Sequence, residues 1–311
     1  MENIKKLNIV SSSPHIRSKN TTQLIMLDVI IALIPALVVA VFVFGVRALT
    51  LTLVTVAACV LAEFATQKAM KRPVRVRDLS CVVTGMLLAF NLPSTFPFWM
   101  AIFGGIFAIV VVKEFFGGIG NNFVNPALAA RAMLLASWPS EMGNFAFLDQ
   151  VGAATPLSGK PFSMMSLFLG NIPGVMGEVS KLAILIGAAY LLIKKVIHIK
   201  MPAIYIITCA VLFMLLGYDI EDTLMQLLSG GLMLGAFFML TDYSSSPTTD
   251  RAQIVYALGA GFLTVIIRVY GGYPEGVSYA ILLMNVCTPL LDKLLKQKTF
   301  GRGVVAKWVR H

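Results

Sequence analysis

The chain has 311 residues, 58% of them hydrophobic and only 13% charged, with a mean hydropathy of +0.83. A soluble domain needs about a quarter of its residues charged, so a water-covered surface is excluded. The formal net charge of +10 does not point to nucleic acid. The cations sit in short loops beside apolar runs, and no aromatic–basic interleaving accompanies them.

Residues 1–23 are polar and read as an N-terminal segment. No signal peptide is expected, because the first apolar run is long enough to span and no small-residue cleavage site follows it. Apolar runs at 24–45, 48–69, 79–91, 98–113 and 124–137 form a first group. Each is read against the ~20 residues that cross a ~30 Å hydrocarbon core. Two are short. The stretch ending at Asn91-Leu92-Pro93 and the one from Asn125-Pro126 to Pro139 are predicted to be half-helices.

The fourth run closes on Lys113-Glu114-Phe115-Phe116-Gly117-Gly118-Ile119-Gly120. Those glycines admit left-handed backbone. Pro126 suits a first helical turn with Asn125 as its cap. A helix start at membrane depth can hold a ligand's oxygens, or it can be a capped turn that only packs. Arg131 follows one to two turns later and needs a partner or a polar cavity, and Glu114 is the expected partner. Asp28 and Glu63 also fall near or within spans. Ion passage, cofactor contact and structural pairing all stand as readings of these charges.

Residues 139–178 are rich in Gly, Pro and Ser and read as an irregular loop. Within it, Asp149-Gln150-Val151-Gly152-Ala153-Ala154-Thr155-Pro156-Leu157 sets a threonine behind three very small residues, which leaves its hydroxyl unshielded. Apolar runs resume at 179–193, 201–217, 223–240, 252–268 and 276–291. The eighth ends in Thr241-Asp242-Tyr243-Ser244-Ser245-Ser246-Pro247-Thr248-Thr249-Asp250, an oxygen-rich run that can hold a small hard cation or cap two helices. Residues 292–311 form a basic tail. The four cysteines, Cys59, Cys81, Cys209 and Cys287, lack metal-site spacing, so no metal centre built by this chain alone is expected. A pair shared with another protein of a complex stays open.

The predicted fold is therefore an all-α polytopic membrane protein of about ten spans. Twenty Lys and Arg lie on one side of that topology and four on the other, which predicts both termini in the cytoplasm and the 139–178 loop outside. Gly104–Gly118 echoes Gly259–Gly272 at an offset of 154 or 155 residues. Residues 24–138 and 179–291 then read as two five-span repeats. Five is odd, so the halves insert in opposite senses, a transporter and channel pattern.

Four blocks together resemble the family of RnfD- and NqrB-type membrane subunits: Lys113–Arg131, Asp149–Leu157, Gly170–Ser180 and Gly231–Thr249. The lack of a long N-terminal extension is more similar to the RnfD type. In this family a flavin transferase joins FMN through its phosphate to a threonine in a motif like D-x-x-S-G-A-T. The matching residues are Thr155 and Asp149, with Ala154 before the threonine. Gly152 stands where Ser is usual and Ala153 where Gly is usual, so the site stays small. The resemblance implies a subunit of an Rnf-type complex in a bacterial inner membrane. Electrons would pass between ferredoxin- and NAD-side partners with coupled Na⁺ or H⁺ movement. It also implies a noncovalent riboflavin whose residues it does not assign. Glu114, Asn125, Arg131, Thr241 and Asp242 are the candidates for the ion path or that second flavin. A small-solute transporter without redox chemistry, or a scaffold, are the competing readings. No dinucleotide-binding fingerprint follows a strand, so NAD⁺ is expected to bind a partner.

Overall fold

The structure, a computed structural model, describes residues 21–147, 150–151, 164–170, 174–271 and 276–296. Helix α1 (Thr22–Phe44) starts where the Thr21 hydroxyl accepts from the Leu24 amide at 3.3 Å. Gly45, at φ +73°, turns the chain directly into α2 (Val46–Ala69). A short 3₁₀ turn over Val76–Asp78 leads into α3 (Ser80–Phe90). Asp78 fastens that entry by accepting from the Ser80 amide and hydroxyl at 2.9 and 2.6 Å.

Helix α4 (Phe98–Ile106) widens into a π-helical stretch over Phe107–Glu114. Gly117, Gly118 and Gly120, all at positive φ, then reverse the chain. Helix α5 (Pro126–Ser137) begins as the sequence predicts, with Pro126 in the first turn and Asn125 Oδ1 accepting from Ala127 and Leu128 amides. Then come α6 (Pro139–Met142) and a two-residue antiparallel ladder of β1 (Ala146–Phe147) with β2 (Gln150–Val151). Helix α7 (Met164–Leu169) completes the described part of the 139–178 loop. Helices α8 (Lys181–Ile193), α9 (Lys200–Leu215) and α10 (Ile220–Leu228) follow. The short α11 (Leu232–Leu234) runs on as a second π-helical stretch, Gly235–Met239. Helices α12 (Asp250–Tyr270) and α13 (Val277–Leu294) close the fold.

All ten predicted segments are helical, but their lengths differ. By length and composition, α1, α2, α12 and α13 are each able to cross a membrane. The α10 and α11 segments do so only as a pair bent by 66°. Helix α3, with 11 residues, and α8, with 13, reach about 17–20 Å at ~1.5 Å per residue, well short of ~30 Å. Interrupted helices are tolerated at this depth because neighbouring protein satisfies their ends. Large apolar side chains such as Phe42 and Ile193 stay exposed, as a lipid-facing surface requires.

Small residues let the helices approach. A side chain on Gly187 of α8 would run into the Ala32 carbonyl of α1 and approach Phe238 Cζ at 3.1 Å. Several contacts occur twice. Cys59 Sγ of α2 lies 3.8 Å from the Gly105 carbonyl of α4, and Cys209 Sγ of α9 lies 3.7 Å from the Gly261 carbonyl of α12. Gly104 abuts Leu134 of α5, and Gly259 abuts Met284 of α13. Arg47 at the start of α2 donates to Ser94 and Thr95 carbonyls just before α4, while Lys200 at the start of α9 reaches Asp250 at the start of α12. These pairs follow the Gly104–Gly118 and Gly259–Gly272 echo.

Candidate functional site

Most of the described charged groups inside the bundle gather in two places. The first lies where α2, α3 and the π-helical end of α4 meet. Lys113 Nζ donates to Glu63 Oε2 at 2.5 Å and to Ser80 Oγ at 2.6 Å. The two charged side chains are 4% and 1% exposed. Gln67, one helical turn after Glu63, donates to Glu63 Oε1 at 3.3 Å and to Glu114 Oε1 at 3.0 Å. Burying such a pair is costly unless its remaining lone pairs and protons are hydrogen-bonded, as these largely are.

Cavities flank this ion pair on both sides. One, of about 130 Å³, is lined by Glu63, Gln67, Arg72, Arg75, Asp78 and Glu114. The next, of about 60 Å³, is lined by Ser80, Thr84, Lys113, Asn122, Asn125 and Asp242. Ile119 belongs to both walls. A third, also about 60 Å³, shares Met26, Val83, Leu87, Asn125 and Asp242 with the second and adds Thr241. Each exceeds the ~10–15 Å³ that one water needs.

The structure thus brings Asn125, Thr241 and Asp242 together from opposite halves of the sequence. Capping explains much of the oxygen-rich run. Thr241 Oγ1 donates to the Phe237 carbonyl, Ser245 Oγ to Asp242 Oδ2 at 2.8 Å, and Thr249 caps α12. Asp242 does more than cap, because it also faces the shared cavities.

The second cluster holds the break between α10 and α11. Arg268 donates to the Gln226 and Ser229 carbonyls at 2.6 and 3.1 Å. Lys181, fully buried, donates to the Glu178 carbonyl and to the Gly230 carbonyl at 3.2 Å. Cations at a helix C-terminus complement its unsatisfied carbonyls and dipole. The Glu178 carboxylate is buried beside them.

Two expectations are corrected. Glu114 and Arg131 are not partners: Glu114 bonds Gln67 of α2, while Arg131 donates to Ser278 Oγ of α13. The glycine turn between them sends the two side chains to different neighbours. Lys113 and Lys181, counted as loop cations, are buried inside the bundle. Sequence reading flagged Glu63 as an intramembrane acid but missed its pairing with Lys113, and missed Gln67, Glu178 and Lys181. The i, i+4 spacing of Glu63 and Gln67 was the available signal. Asp149, Gly152, Ala153, Ala154 and Thr155 lie outside the described residues.

Interrupted apolar helices that meet around buried charges and small polar cavities define a multi-pass α-helical membrane protein. The chain belongs to the NQR2, RnfD, RnfE family, whose model matches residues 9–301. It is 51% identical to a subunit of the Na(+)-translocating ferredoxin:NAD(+) oxidoreductase complex of Acetobacterium woodii, across 98% of this chain and 99% of that protein. It is 39% identical to a subunit of the proton-translocating ferredoxin:NAD(+) oxidoreductase complex of Clostridium ljungdahlii, across 96% and 97%. It is 32% identical to a subunit of an ion-translocating oxidoreductase complex of Yersinia enterocolitica, across 94% and 98%.

Proposed function

We propose that this chain is the flavin-carrying membrane subunit of an Rnf-type complex that couples electron transfer between ferredoxin- and NAD-side partners to Na⁺ or H⁺ translocation. The observation that carries this reading is the near full-length match to relatives named as one and the same subunit of such complexes. The coupled ion is left as Na⁺ or H⁺, since those two relatives are named for different ions.

Thr155 is the site of covalent FMN attachment in this reading, with Asp149, Gly152, Ala153 and Ala154 forming the segment that a flavin transferase recognises. The Lys/Arg split supports both termini in the cytoplasm and this loop on the outer face. The five-and-five division supports two halves, 24–138 and 179–291, inserted in opposite senses, with 1–23 and 292–311 as cytoplasmic ends. Bound flavin supplies the one- and two-electron redox chemistry, and the protein sets its position and potential. A noncovalent riboflavin belongs to the same reading. The convergence of Asn125, Thr241 and Asp242 on cavities beside Lys113 supports an ion path through them. An intramembrane carboxylate at a broken helix suits a small hard cation.

The test is a denaturing gel under ultraviolet light, run on the chain coexpressed with its transferase. A fluorescent band is expected for the wild type and none for Thr155→Val. A band that persists in the variant, or is absent from the wild type, sinks the assignment.

A further inference from the structure

Between the cavity that holds Glu114 and the cavity that holds Asp242 stands one ion pair. Lys113 lines the Asp242 side, Glu63 lines the Glu114 side, and their atoms meet at 2.5 Å. The ammonium is held by a carboxylate oxygen and a serine hydroxyl, Glu63 Oε2 and Ser80 Oγ. Those are the oxygen donors that a small hard cation takes. We propose that the Lys113 ammonium is a tethered cation that fills the position of a translocated ion and closes the path between the two cavities. The inference rests on the ion-path reading above.

Charge requires an exchange at this point. The Glu63 side chain is 1% exposed, so the carboxylate cannot be left without a cation when the ammonium departs. An ion arriving from the Glu114 side therefore replaces Lys113 on Glu63. The displaced ammonium has a place to go, because Asp242 lines the same cavity as Lys113. A lysine head rides on a flexible four-carbon stem, and the proposed move is a change of its side-chain rotamer. Lys113 lies in the π-helical stretch, and Gly117 and Gly118 follow at φ +116° and +88°. A purely structural pair has no need of a cavity on either side.

The experiment uses the whole complex reconstituted in liposomes. Passive entry of radioactive sodium, passive proton entry by a pH dye, and ions moved per electron are measured. With Lys113→Ala, passive flux of the coupled ion is expected to rise about tenfold, as for the loss of one modest barrier, and ions moved per electron to fall. Ethylammonium in the medium is expected to suppress that leak. If Lys113→Ala does not assemble, the double variant Lys113→Met with Glu63→Gln decides. It removes both charges at similar volume and is expected to lower coupled transport about tenfold. Wild-type pumping in the double variant, or an assembled Lys113→Ala complex without an ethylammonium-sensitive leak, overturns the proposal. Asp242→Asn separates the two levels. If it blocks transport while the Lys113 variants pump normally and do not leak, only the tethered cation is wrong. If all of them pump normally, the ion path itself is wrong.

Discussion

Removing one member of the Lys113–Glu63 pair should cost far more stability than removing both. The two side chains are 4% and 1% exposed and meet at 2.5 Å, with Ser80 as a further acceptor for the ammonium. Lys113→Met leaves a buried carboxylate with Gln67 as its remaining hydrogen-bond donor among the described residues, and Glu63→Gln leaves a buried ammonium on a neutral amide. Breaking a buried pair from one side costs about 3–5 kcal/mol, whereas replacing both charges by groups of similar volume is often near neutral. The double variant should therefore lie within about 1 kcal/mol of the wild type, allowing for the lost bond to Ser80. The cycle then yields a coupling energy of several kcal/mol, measured by detergent-driven unfolding followed by circular dichroism. Two single variants that each cost under about 1 kcal/mol, and add, would show that the pair is neither dry nor tightly coupled.

Two further outcomes follow from the packing. Gly187→Val drives a branched side chain against the Ala32 carbonyl at the crossing of α1 and α8, so it should destabilise by about 1–3 kcal/mol or more in the same unfolding assay. Arg268→Met removes two charge-assisted bonds from the C-terminal carbonyls of α10. The expected loss is about 2–4 kcal/mol, with faster amide exchange confined to the α10–α11 break, and uniform exchange across the bundle would argue against a local clamp.

The bilayer makes some features legible and hides others. A span must be predominantly apolar, so all ten segments stand out in a hydropathy reading even where the helix proves too short to cross. The start of α5 was equally plain, because an Asn cap followed by Pro is a local chemical instruction. Lys113 was not. It directly follows an apolar run, where a loop cation belongs, and only the π-helical turn carries it inward onto α2. Its partner Glu63 lies fifty residues earlier, beyond the reach of any local pattern. The Glu114–Arg131 expectation failed for a related reason. Three glycines at positive φ separate them, and nothing in their composition states which way the chain leaves the turn. The meeting of Asn125 with Asp242 likewise depends on how the two halves dock, and a pass along one half does not contain that.

The duplicated contacts give this molecule a comparison within itself. Cys59 on Gly105 and Cys209 on Gly261 build the same crossing, so those positions answer to geometry in both copies. One turn beyond each sulfur the copies part company: Glu63 in the first, a fully buried Phe213 in the second. The cations at the corresponding positions of α4 and α12 also differ, since Lys113 meets a carboxylate while Arg268 donates to backbone carbonyls. In one half the cation, half-buried Arg268, braces a bent helix. The other holds a charge whose counter-charge, in the ion-path reading, can be exchanged, so two similar crossings put their cations to different work.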